Sequence, residues 1–277
     1  MNRTRTLLQT LLTFIAVVQV LVAGAQTRYW VAAEGRWNDA RNWSEVAHGA
    51  GGAGVPRATD DVVIAPEGNC LITLDEAAQC HSLTVDGSRA AVRFAGPAAA
   101  SLEIAGAWSS KGDVQWQGAW PIRLSVRRNG VELDLRGTPV RGDVVLDGTG
   151  SWSVVSDLRV GGDLRIKQGT LIANASRISA SRIRTEAPGR GRVIAGRSVW
   201  AMDEAPDPEL LRQLSQPTTV VIVAGRSQAV PVASRDGVDD RDINVCGTDP
   251  GQTPFTVNAQ VVTNYNGYGV RCRGECN

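Results

Sequence analysis

Between residues 55 and 200 the chain alternates apolar and polar positions in short runs, among them "DDVVIA", "SLTVDG", "SLEIAG", "VELDLRG", "DVVLDG", "DLRIKQG" and "SRISASRI", and glycine closes many of them. A period of two with a turn signal every 8 to 12 residues or so predicts strands, because successive strand side chains point to opposite faces. A helix is predicted only at "DPELLRQLSQP", residues 207 to 217, where Pro208 suits a first turn and Pro217 ends the run. Just beyond it, "TTVVIVAG" reads as a buried strand.

A β-sandwich satisfies the alternation as well as a solenoid does. The near-repetition in "LRVGGDLRIKQGTLIANASRISASRI" favours the solenoid: units of about eight residues recur, each with one or two inward aliphatics and small residues at the bends. The expected fold is all-β, a right-handed parallel β-helix whose coils stack about 4.8 Å apart, so that like positions form aliphatic ladders. Three Phe and three Tyr serve the whole chain, so aliphatic packing with few aromatics inside is expected. At about 20 to 25 residues per coil, roughly seven coils fit.

An open solenoid end exposes edge strands and core, and it must be covered. Trp30, Trp37 and Trp43 stand immediately before the first confident strand, two of them inside "GRWNDARNWS". They are expected to plug the end, with Asn38, Asp39 and Asn42 serving indole N–H groups and tight turns. The competing reading makes Trp37 and Trp43 a platform on which sugar rings stack.

The first 25 residues have a basic start, an apolar stretch "LLQTLLTFIAVVQVLVAG" and the small-residue ending Ala23-Gly24-Ala25, which together predict a cleaved secretory signal peptide. The alternative is an uncleaved anchor, weakened by Gln9, Thr10 and Gln19. Loss of Arg3 and Arg5 with the leader takes the formal charge from +1 to −1, and nothing in that balance suggests a nucleic-acid partner. No later segment is long and apolar enough to span a membrane. In an oxidising destination Cys70 and Cys80 are a candidate disulfide closing a loop of about ten residues. Cys246, Cys272 and Cys276 make an odd set whose pairing stays open.

Catalytic chemistry finds little support. Asp60-Asp61 and Asp239-Asp240 are adjacent pairs, and strand neighbours point to opposite faces, so structural turns are the better reading. Asp134, Asp143, Asp147 and Asp163 come from different coils, and their register is open. Histidine occurs only at His48 and His81, and no G-x-S-x-G or H-E-x-x-H motif is present. A Cys80–His81 dyad is disfavoured because strand neighbours diverge. "GAGGAG", residues 49 to 54, lacks the Lys and Ser or Thr of a phosphate loop and reads as a flexible loop. Asp236, Asp239, Asp240 and Asp242 match no EF-hand spacing and read as a solvated turn. No catalytic residue, metal ligand or cofactor is assigned.

"GRWNDARNWS", "GGAGVPRATDDVVIA", "SLTVDG", "VVLDGTGSWSVVSDLRVGGDLRIKQGTLIANASRISASRI" and "GRSVW" fall in an order that resembles the amino-terminal β-solenoid of large Bacteroidetes surface proteins exported by type IX secretion, over about residues 29 to 200. The tail "FTVNAQVVTNYNGYGVRCRGECN" is similar to the lead-in of the repeat named after the gliding adhesin SprB, with Cys272-Arg273-Gly274 at its Cys-x-Gly opening. Repeats of that family run on for dozens of residues, so Asn277 reads as an early end. No sorting domain of the kind that ends type IX cargo follows, which departs from the family pattern.

The expected organisation is a signal peptide at 1–25, a cap at 26–54, a solenoid at 55–201, a junction at 202–243 and the start of a SprB-like repeat at 244–277. The resemblance implies a non-enzymatic module at the outer cell surface or outside the cell, part of an adhesin or gliding-type protein. Surface polysaccharide and the secretion machinery are the partners it implies. The alternative is a secreted β-helix that binds or cleaves polysaccharide.

Overall fold

The computed structural model describes residues 25–186, 189–204 and 206–214, together with the backbone of two strands at 219–224 and 258–263. The leader up to residue 24, the Asp236 to Asp242 turn, and Cys246, Cys272 and Cys276 lie outside the described residues.

The alternating runs become strands that wind in coils. The first turn holds β1 (Thr27–Trp30), β2 (Glu34–Arg36) and β3 (Trp43–Ser44). The second holds β4 (Asp61–Ile64), β5 (Cys70–Thr73) and β6 (Ala77–Cys80), and the next two turns β7 (Leu83–Ala95), β8 (Ser101–Ile104), β9 (Trp108–Trp116) and β10 (Ile122–Leu124). Then follow β11 (Val131–Asp134), β12 (Pro139–Val140), β13 (Val144–Val154), β14 (Leu158–Val160), β15 (Asp163–Ile172), β16 (Arg177–Ala180), β17 (Arg182–Thr185), β18 (Gly191–Ile194) and β19 (Val199–Met202). Long strands such as β13 and β15 bend at a glycine and serve two faces of the coil.

Strands pair in parallel with their counterparts one coil away and form three ladders. The first passes through Val62, Leu83, Trp108, Leu133 and Val154. The second passes through Ile72, Phe94, Trp116, Val140 and Val160. The third passes through Leu102, Ile122, Val144, Leu164 and Ile183. All of these side chains point inward and are buried. Stacked parallel coils of this kind are a β-solenoid of about six turns, not a sandwich or a barrel.

Two expectations about the core change. The count is about six turns rather than seven, and the interior is far from aromatic-poor: all eight tryptophans are buried. Coil size supplies the reason for Trp108, Trp116 and Trp120. Thr84 and Ser109, partners on adjacent coils, are 25 residues apart, whereas Asp163 and Arg182 further along are 19 apart. The wider coils enclose more space, and bulky rings fill it. Phe94 and Trp116 stack at 4.0 Å, while Trp108 and Trp120 meet Trp116 edge to face.

Both ends are covered. At the start β3 turns back antiparallel onto β1, pairing Trp30 with Trp43. At the far end α1 (Pro208–Gln213) sets Leu210 and Leu214 into the core. The Asp207 carboxylate caps it, accepting from Leu210 N at 2.7 Å and from Thr185 N at 3.0 Å. Gln213 accepts from Val193 N and donates to the Gly191 carbonyl, satisfying the free edge of β18. Strand β20 (Thr219–Ala224) adds in parallel to β19, and β21 (Asn258–Thr263) adds antiparallel to β20. The second ladder thus continues into the segment expected to be a junction.

Candidate functional site

The amino-terminal plug is built from the residues that opened the carbohydrate question. Trp37 and Trp43 are each 0% exposed, and their rings meet edge to face at 4.9 Å, with Trp30 against Trp43 at 5.1 Å. Neither ring offers a face to solvent, so the sugar platform at Trp37 and Trp43 is corrected to a structural plug. Two of the three indoles are served by backbone rather than by Asn or Asp, Trp43 Nε1 donating to the Trp37 carbonyl and Trp30 Nε1 to that of Ala32, both at 2.6 Å, while Trp37 Nε1 has no partner among the described residues. Asn38, Asp39 and Asn42 act locally instead. Asn38 donates to the Ala77 carbonyl, Asn42 to that of Arg36, and Asp39 caps the 3-10 turn Ala40–Asn42.

Beside the plug, the half-expected turn at Asp60-Asp61 splits across the strand. Asp60 is buried and accepts from Arg57 N at 3.0 Å and Gln26 N at 3.3 Å, with the buried Arg28 guanidinium 3.8 Å away. Asp61 faces outward, where His81 Nδ1 lies 2.9 Å from it and Ser82 donates its hydroxyl. Burial raises the Asp61 carboxyl, but the bonds from Ser82 and His81 outweigh it and hold the group below its ordinary value. Both His81 and Ser82 spend their bonds on one carboxylate, so they do not form the serine-to-histidine-to-acid relay that activates a hydroxyl.

The loop 49–54, expected to be flexible, is pinned to the plug. Gly52 N donates to the Ala40 and Trp43 carbonyls, and a Cβ at Gly51 would collide with the Arg41 carbonyl oxygen.

The expected bridge between Cys70 and Cys80 is absent; both thiols are free and buried. Cys70 stacks beneath Val92 on the second ladder and Cys80 beneath Ile104 on the third, so each fills a core position on its own side of a corner. Burial pushes the Cys70 thiol up to about 11. Burial pushes Cys80 up further, helped by the nearby Asp61 charge. Thiols held protonated in this way are poor nucleophiles.

The coil aspartates are distributed over two faces. Asp134 sits on the first ladder beside Arg136, at 3.5 Å. Asp143, Asp147 and Asp163 line the third, where each meets an arginine. Arg165 lies 3.7 Å from Asp143, Arg123 3.2 Å from Asp147, and Arg182 2.7 Å from Asp163. Arg123 also reaches Glu103 one coil back, while Arg165 and Lys167 share Glu186. The result is a lattice of ion pairs running along the stack. Each exposed pair is worth at most about 1 kcal/mol, but together they fix the coils in register. Each of these carboxylates thus has a basic side chain as its neighbour.

Two shallow depressions, both open to solvent, lie among the described residues: one against Arg36, Asn38, Asp39 and Asp75, the other against Arg192, Glu209 and Gln213. No group of three metal-ligating side chains gathers among the described residues, and none of their helices is long and apolar enough to cross a membrane.

The fold and its faces define the chain as a capped parallel β-solenoid. No protein-family model, curated protein or solved structure matches it.

Proposed function

We propose that this chain is an exported, non-enzymatic β-solenoid module of the outer cell surface, acting as part of an adhesin or gliding-type protein. The lattice of engaged carboxylates is the observation that carries the reading: the acids a polysaccharide-cleaving β-helix would use are tied to Arg123, Arg165 and Arg182. A stack of regular coils presents long, flat, polar faces, a geometry suited to extended contact rather than to an enclosed reaction. The leader-like residues 1–25 and the resemblance over about residues 29 to 200 support the surface location.

The test is incubation of the secreted protein with plant and algal glycans, measuring release of unsaturated or reducing ends alongside retention. Retention without turnover is expected. Turnover above blank that disappears in Asp163→Asn would replace this reading with a cleaving β-helix.

A further inference from the structure

The three faces differ in how their arginines are used. On the third ladder the strand-borne Arg123, Arg165, Arg182 and Arg184 are all ion-paired. On the second ladder Arg93 and Arg159 point outward, exposed, with no carboxylate partner among the described residues. Register places Arg93, Gln115, Pro139 and Arg159 in one outward column over four successive coils. Just past the ends of β9 and β12 stand the exposed Gln117 and Arg141, the latter without an ion-pair partner among the described residues.

Between the cations runs a chain of amides: Gln117 donates to Gln115 at 3.2 Å, and Gln115 donates to Asp113 at 3.0 Å. Of the acids along this face, Glu34 stands in the same column two coils before Arg93, Asp113 accepts from Gln115, and Asp157 accepts from Arg177 N at 3.0 Å. Flat, polar, cationic and three coil spacings long, the stripe spans about 14 Å from Arg93 to Arg159.

We propose that this stripe of the second ladder is a binding site for a linear carboxylated polysaccharide lying along the solenoid axis. Guanidinium forks match carboxylates in two-point contacts, and Arg93, Arg141 and Arg159 present such forks on the first, third and fourth of four successive levels, with Gln115 on the second. The glutamine amides and the Pro139 ring suit the hydroxyls and apolar ring faces between charges. A single-stranded nucleic acid would want aromatic side chains for its bases, and every tryptophan is inside. The proposal deepens the adhesive reading by naming its ligand class.

The experiment measures binding of the full secreted chain to polygalacturonate. Its neutral methyl ester and single-stranded DNA serve as comparisons. Arg93→Gln/Arg159→Gln is expected to weaken polygalacturonate binding by about tenfold or more and to flatten its salt dependence. Arg123→Gln/Arg184→Gln, two arginines on the ion-paired third face, is expected to leave binding unchanged. Melting curves establish that each variant is folded, since all four side chains lie on the surface. Equal binding of the methyl ester, equal or tighter binding of DNA, no binding of polygalacturonate, or equal loss in both variants would overturn the proposal. Absence of binding without turnover sinks the stripe alone, whereas turnover sinks the non-enzymatic reading as well.

Discussion

At the scale of single residues, buried tryptophans are not equivalent, because some indole N–H groups have partners and others do not. Trp43 donates to the Trp37 carbonyl, whereas Trp116 Nε1 has no oxygen partner. Trp43→Phe therefore orphans a carbonyl and is expected to cost about 1 to 3 kcal/mol, while Trp116→Phe keeps its stack on Phe94 and is expected to cost less. Urea denaturation of the two variants checks the order; an equal or reversed cost would contradict it. Glycine offers a second contrast. Gly51→Ala drives a methyl into the Arg41 carbonyl, but nothing lies within 4 Å of a Cβ at Gly68. A lowered melting temperature is expected only for Gly51→Ala.

Acid sensitivity also belongs to single residues. The bond from Ser88, with help from Lys111, holds the Asp86 carboxyl at about 2. Its value in the unfolded chain is about 3.9, so the folded state binds its proton less readily and gains stability above that pH. The gain disappears as pH falls from about 4 toward 2. Wild type is expected to melt above Asp86→Asn at pH 7 and level with it near pH 2. A gap that widened on acidification would contradict the assignment.

Elements show why some features were legible in the chain and others were not. Alternation in "DDVVIA" or "DLRIKQG" is a local property that maps directly onto strands β4 and β15. The near-repetition in units of about eight residues, with small residues at the bends, further favoured coils over a sandwich. What escaped was the filling of the wide coils: Trp108, Trp116 and Trp120 lie within thirteen residues of one another but on different sides of one coil, and alternation predicts that they point inward without showing that the bends bring the rings together. The carboxy-terminal cover was half legible. The helix was expected, but its role in satisfying β18 through Gln213 depends on a contact 20 residues away. Asp207 is the residue that joins this helix to β17. Asp207→Ala is expected to cost about 1 to 2 kcal/mol through lost capping and the freed Thr185 amide, with fraying confined to the last coils in hydrogen exchange. Loss of protection in β4 and β5 instead would contradict that placement.

For the whole molecule, the sequence could suggest a solenoid with a tryptophan plug, because patterning and the position of Trp30, Trp37 and Trp43 ahead of the first coil are both visible along the chain. It could not show which outward residues share a face. Asp143 and Arg165, or Arg93 and Arg159, are related only by the stacking register, and that register distinguishes an ion-paired face from a face with free arginines. The same limit explains the cysteines: a short loop between Cys70 and Cys80 suggested a bridge, yet the corner puts them on different ladders. Function at this scale rests on location. The most direct measurement is detection of the native protein with an antibody against residues 26–277, in intact cells before and after external protease and in culture fluid and cytosol. The expected result is a protein lacking residues 1–25, at the surface or in the fluid, and removed from intact cells by the protease. A protein confined to the cytosol with residues 1–25 still attached would contradict the account.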